Sequence, residues 1–387
     1  MEDSKETAAK IHYGGSCQGG GKVGACLPGG ERVIVLNPGS TSTKVALFCG
    51  EKALHEETVR HPDSELGRFG RIAEQRQYRA ACILELLERW GLPAGAGAAD
   101  AVVGRGGVLR PVPGGTFLVN DRMVDDLLER PRWEHASNLG APIARDLAAL
   151  FVCPAFVVDP VAVDELDDMA RLSGQCGMDR VSLAHALNTR VVARKVAAAM
   201  GREYAACNLV VAHLGGGVSV SAHRRGRMVD VNNANEEGPF GPERSGGLPL
   251  YGVIEACFDA AGRGQGRDAV KDLFTRRGGV FSYLGTRDVA AAEERALGGD
   301  ARAALVLDAM CYQVAKEIGA MAAALAGDVD RVVITGGMAR SRYLVERIAA
   351  RVSFIAGVEV VPGEDELSAM AGGALRVLRG EEEPRQY

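Results

Sequence analysis

Residues 34–48, IVLNPGSTSTKVALF, decide how the chain is read. A β-branched apolar run meets a Pro-Gly turn, four hydroxyl residues and a lysine, and a second apolar run follows. A Walker A loop needs G-x-x-x-x-G-K-[ST] with a helix starting at the lysine, so that the helix N-terminus faces the phosphates. Here only Gly39 precedes Lys44, and VALF after it reads as a strand. The P-loop reading fails on spacing and on context. A phosphate can instead lie over a β-turn, where Gly39 admits the backbone and Ser40, Thr41, Ser42 and Thr43 offer donors. Taken alone, the stretch reads first as a solvated hairpin tip, since these are ordinary turn residues.

The same grammar returns half a chain later. NLVVAHLGGGVSVSAHRRGRMVDVN, residues 208–232, reads strand, glycine loop, strand, turn, strand. Three consecutive glycines, Gly215, Gly216 and Gly217, strip away side chains and leave backbone N–H groups facing whatever approaches. DRVVITGGMARS adds a buried strand entering Gly336 and Gly337, then a helix. VEVVPGEDELSAMAGGALRVLRG closes with a strand, an acidic turn and a C-terminal helix. YRAACILELLERWG reads as a helix stopped by Gly91. A long helical pattern runs from Ser182 to Met200 and places His185 inside it. Two halves that each open with strand, phosphate-type loop and strand predict a duplicated α/β architecture. Glycine loops at strand ends in both halves fit a nucleotide in an interdomain cleft.

The bulk numbers agree. At 387 residues, two domains are expected. A net charge of -5 argues against a nucleic-acid binder, and no apolar run reaches the roughly 18–20 residues of a membrane span. Nine cysteines, an odd count without a C-x-x-C pair, read as thiols in a reducing cytoplasm rather than as a disulfide framework or zinc site. Residues 1–31 are Gly-rich and poor in large apolar side chains, and read as a disordered leader. An N-terminus placed too far upstream would leave the same signature.

Taken in order, LNPGSTSTKVALF, GRGG, HASNLG, VVDPV, SLAHALNTR, HLGGGVSV, EEGPFGPERSGGLP, ITGGMARS and PGEDEL resemble the acetokinase family, most of all its butyrate kinase branch. The resemblance covers the chain from Arg32 onward. It implies the duplicated ribonuclease H-like fold of actin-like ATPases, with residues 32–185 and 367–387 as the first domain and 186–366 as the second. It also implies ATP- and Mg2+-dependent, reversible phosphorylation of a small carboxylate in the interdomain cleft. A homo-oligomer is expected by family analogy, with no nucleic-acid or membrane partner.

By this resemblance Arg105 holds the acceptor carboxylate or the transferring phosphoryl, which its fork geometry suits. Arg244 takes a second cationic role beside glycines that suit closure. His185 donates to an equatorial phosphoryl oxygen, His135 supports the substrate pocket, and Asp159 orients an arginine or a metal-bound water. Asn37, Ser40, Ser42 and Lys44 meet the phosphates from one side. His213 and Gly215, Gly216 and Gly217 meet them from the other, while Gly336, Gly337 and Met338 approach the adenosine. Asn37 with Asp365 and the adjacent Glu366 forms the metal side, since PGEDEL departs from the family's P-T-N-E-E-L. Without the resemblance, Asp365 and Glu366 are ordinary helix-N-terminal acids.

Acetate kinases carry RVVHGG where this chain has GRGGVL, so Gly107 replaces a valine that closes the acetate pocket. The expectation is butyrate or isobutyrate over acetate, with Gly107→Val swinging preference back. Acetate or propionate kinase is the alternative. A nucleotide-switched ATPase would need no pair of arginines for a carboxylate. A sugar kinase would need an aspartate base, for which Asp159 is the obvious candidate.

Overall fold

The computed structural model describes residues 30–132 and 134–387. The expected disordered leader lies outside the described residues except for its last two. Of these, Glu31 is ion-paired with Arg379, so order begins a little before Arg32.

Two sheets carry the fold. The first contains β1 (Arg32–Pro38), β2 (Ser42–Cys49), β3 (Lys52–Arg60), β4 (Ala101–Gly104), β5 (Thr116–Leu118) and β6 (Ala155–Val158), in the order β3-β2-β1-β4-β6-β5. The second contains β7 (Asn208–Leu214), β8 (Val218–Arg224), β9 (Arg227–Val231), β10 (Arg331–Gly336) and β11 (Val358–Pro362), in the order β11-β10-β7-β8-β9. Each opens with an antiparallel three-strand meander whose first strand then pairs in parallel with a later one, and that one with another. The repeat inferred from a few glycines is therefore a repeat of topology. β5 is an added antiparallel edge in the first sheet.

Both faces of each sheet are covered, which is why the strands read as continuous apolar runs. On β1, Ile34 and Leu36 pack with helices Arg76–Arg89 and Gly140–Phe151, while Val33 and Val35 pack on the C-terminal helix Glu366–Leu378. On β7, Val210 and Ala212 face helix Ala301–Ala324, and Leu209 and Val211 face helix Ala186–Ala199. The chain thus ends by returning to the sheet with which it began.

The helix expected from Ser182 starts at Ala186 instead, with His185 at its N-cap position. The Ser182 hydroxyl donates to the Val163 carbonyl at 2.7 Å and holds this segment out of the helix. No helix among the described residues is long and apolar enough to cross a membrane. Six cysteines are free thiols, and Cys49 is disulfide-bonded, a departure from the all-thiol expectation.

Candidate active site

Asn37 stands near the end of β1, and Lys44 is its partner in register on β2, so the two side chains share one face of the sheet. Ser40 is exposed and Ser42 half-buried in the turn between them. The turn is held from behind by Arg79, a fully buried residue of helix Arg76–Arg89. Its guanidinium donates to the carbonyls of Gly39 (2.8 Å) and Ser40 (2.9 Å) and to the Gln75 side chain. Burial lowers the Arg79 pKa from its ordinary value. With their carbonyls turned toward Arg79, the peptides of this turn present their other edge outward. Arg79 is absent from the sequence-based site because its partners lie about forty positions away.

Arg105 follows β4 directly, where the strand ends against Gly140. It is ion-paired with Glu366, whose other oxygen accepts from the Asn37 amide at 2.6 Å. Asn37, Arg105 and Glu366 are therefore one cluster, built from β1, the loop after β4 and the C-terminal helix. Asp365 is not part of it. Its exposed carboxylate caps that helix by accepting from the Ser368 N–H at 3.1 Å, whereas Glu366 is the acid of the pair that meets Asn37.

Across the cleft, His185 and His213 stack at 3.9 Å between ring centroids. His185 Nδ1 lies 2.8 Å from the Ser219 hydroxyl. Burial first, then the charges of His213, Arg244 and Arg105, push the His185 pKa well below the usual histidine value, so the ring is neutral. A side chain on Gly217 would strike Arg244 and the His185 ring, which puts both beside that glycine. Burial also lowers the Arg244 pKa.

His213 Nδ1 bonds Asn188 Oδ1 at 2.9 Å, and Asn188 also accepts from the Thr335 hydroxyl. Its opposite nitrogen lies 3.0 Å from Glu364, whose carboxyl is held below the ordinary range chiefly by that contact. Asn188 escapes a sequence reading, because a polar residue in the first turn of a helix gives no sign of its partner, and Glu364 reads only as one of three acids that could meet a metal.

His135 lies close enough to Arg105 for its charge to reinforce burial in lowering the histidine pKa. Its Nδ1 accepts from the Ser137 N–H at 3.2 Å, so the proton sits on Nε2. Asp159 is elsewhere. It is fully buried, accepts from the Gly115 N–H, and pairs with Arg190 (2.8 Å) and Arg194 (3.4 Å). It does orient arginines, but they are not Arg105 or Arg244, so a place among the reacting groups is corrected to a buried ion-pair cluster.

Gly107 is also corrected. A Cβ built there would lie 2.5 Å from Asn138 Oδ1 and 2.8 Å from Leu127, so the position is packed and opens no room for a substrate.

Gly215, Gly216, Gly337, Met338 and Glu364 line one cavity of about 810 Å³ in the second half, a size suited to a nucleotide. Gly336 does not line it. At φ 92° it packs on the Leu214 carbonyl, where only glycine fits.

Among the described residues no group of three or more His, Cys, Asp or Glu side chains could cage a cation. Mg2+ beside a nucleotide takes most of its ligands from phosphate and water. One carboxylate, Glu366, with the Asn37 amide next to it, fits that requirement.

Two sheets of one topology, with a nucleotide-sized cavity lined from the second, make the duplicated ribonuclease H-like, actin-type fold. Residues 175–375, a little over half of the chain, match the acetokinase family model. The chain belongs to that family and is a carboxylate kinase. Porphyromonas gingivalis acetate kinase superposes with a TM-score of 0.72 at 20% identity, over 90% of this chain and 100% of its own. A propionate kinase from Francisella tularensis gives 0.67 at 16%, over 88% and 98%. Acetate kinase from Entamoeba histolytica gives 0.67 at 16%, over 89% and 98%. At these identities the likeness is one of fold.

Proposed function

We propose that this carboxylate kinase is a butyrate kinase, passing the γ-phosphoryl of ATP to butyrate or isobutyrate and back. The observation that carries the reading is two arginines from different halves beside one neutral histidine: Arg244 and His185 flank Gly217, with Arg105 near enough for its charge to act on His185. A carboxylate acceptor is already ionised at pH 7 and needs no base. The barrier lies in bringing one anion onto another, which fixed cations and preorganised donors lower.

Arg105 engages the acceptor carboxylate with its fork, and Arg244 the transferring phosphoryl. When Ser219 donates to His185 Nδ1, the ring's proton sits on Nε2 and serves an equatorial oxygen. Lys44, Ser40, Ser42 and the N–H edge of the turn meet phosphate from the first half. Gly215 and Gly216 do so from the second, and Gly337 and Met338 wall the nucleoside. Glu366 and Asn37 would hold Mg2+, which neutralises phosphate charge. The protein acts in the cytoplasm as a homo-oligomer; its six free thiols suit that compartment.

A hydroxylamine trap tests the reaction. Acyl hydroxamate should form only with ATP, Mg2+ and butyrate together, and ATP hydrolysis indifferent to added acid would sink the proposal. Arg105→Ala should lower kcat by roughly 10²–10³-fold with little change in the KM for ATP.

A further inference from the structure

A second cavity, of about 960 Å³, shares no lining residue with the nucleotide-sized one. Leu109 lines it four residues after Arg105, Leu183 two before His185, and Ser245 directly after Arg244. Its lining thus draws on the same three segments that carry Arg105, His185 and Arg244.

Its far wall is made by helices Leu250–Gly262 and Arg267–Thr275. In the first, Leu250, Val253, Cys257 and Ala261 line the cavity. Their spacing of three, four and four is one stripe of a helix, about 16 Å long at 1.5 Å per residue. In the second, Val270 and Phe274 do the same, one turn apart. Yet the first helix buries only Ala260, and the second has no buried residue among those described. Two helices with apolar faces that bury almost nothing are unusual, because burial of such a face is what ordinarily stabilises a helix. Here the faces border a chamber whose lining also carries the charged side chains Arg132, Glu236, Arg267 and Lys271.

We propose that this chamber takes the hydrocarbon tail of the acceptor, and that the substrates are monocarboxylic acids of about four to eight carbons, butyrate being the shortest and hexanoate to octanoate the better fit. The inference rests on the carboxylate-kinase reading. A carboxylate held at Arg105 directs its tail into the cavity beside it. A chamber of this size holds a drug-sized ligand, and a propyl group leaves most of it unfilled. Each methylene in a fitted pocket is worth roughly 10- to 200-fold in kcat/KM, so selectivity should rise with chain length until the stripe is covered.

The experiment is a kcat/KM series from acetate to octanoate, with the full-length chain, ATP and Mg2+. It is run on the natural protein and on Val253→Trp and Val270→Phe, which fill the chamber from different helices at half-buried positions. Hexanoate is expected to exceed butyrate at least tenfold, and each substitution to cut the hexanoate-to-butyrate ratio at least tenfold. A butyrate value equal to or above hexanoate's overturns the inference. So does a ratio that neither substitution moves. A change of particle mass by light scattering in Val253→Trp with an unmoved ratio overturns it as well, assigning the stripe to a second copy of the chain. If no acid in the series gives an acyl phosphate, the carboxylate-kinase reading itself fails, which none of the other outcomes implies.

Discussion

Three acids in a row, Glu364, Asp365 and Glu366, have three different tasks, set by the direction each side chain takes from the turn before the C-terminal helix. Glu364 reaches His213, Asp365 caps the helix, and Glu366 meets Asn37 and Arg105. Asp365→Ala should cost about 1 kcal/mol, the usual worth of an N-cap, and leave the Mg2+ dependence of the rate alone. Glu366→Gln should raise the Mg2+ concentration needed for half-maximal rate at least tenfold. Paired urea melts and Mg2+ titrations separate the two, and a Mg2+ shift in Asp365→Ala would reverse the assignment. Gly107 is the opposite lesson. The family comparison offered it as a gap, but Asn138 and Leu127 already occupy the space. Gly107→Val should therefore destabilise by about 1–3 kcal/mol through overpacking, lowering the urea midpoint rather than cleanly shifting acid preference.

At the level of elements, the strand-loop-strand units were legible because their signals are local: short apolar runs, turn residues and adjacent glycines. The start of the helix after His185 was not. Apolar spacing continues back to Ser182, and only a bond to Val163, nineteen positions away, breaks it. Arg79 was hidden for the same reason, since an arginine among helical residues gives no sign that it reaches another element. It holds the first phosphate turn by its carbonyls. Arg79→Met leaves the part-buried Gly39 and Ser40 carbonyls without that donor, a loss of about 1 kcal/mol for each hydrogen bond. The expected result is a KM for ATP raised at least tenfold with a smaller fall in kcat. An unchanged KM in a folded variant would mean the turn keeps its shape unaided.

For the whole molecule, the duplicated topology explains why the proposed site draws on both halves: each supplies one strand-loop-strand unit and one of the two arginines, Arg105 and Arg244. It also sets an acid response. Burial lowers the pKa of His61 to about 4 and of His223 to about 3, and pushes His135 and His185 down as well. Each stays neutral when folded but binds a proton near pH 6.5 when unfolded. The unfolded chain then holds more protons, so stability is full above that pH and falls as pH drops toward the folded values. His61 and His223 should each remove about 1 kcal/mol by pH 5.5. Urea melts from pH 7.5 to 5 should show the decline, and His223→Gln should reduce its slope.

The return of the last helix to the first sheet has a consequence during synthesis. Val33, Val35 and Phe48 leave the ribosome early, but the helix that covers their face, Glu366–Leu378, is made more than 300 residues later. At roughly 5–20 residues per second, that face waits on the order of 15 to 70 seconds for its cover. Until then the amino-terminal half exposes an apolar sheet face. A ribosome that stalls before Glu366 leaves behind a chain that lacks both a metal-side carboxylate and the lid on its own core.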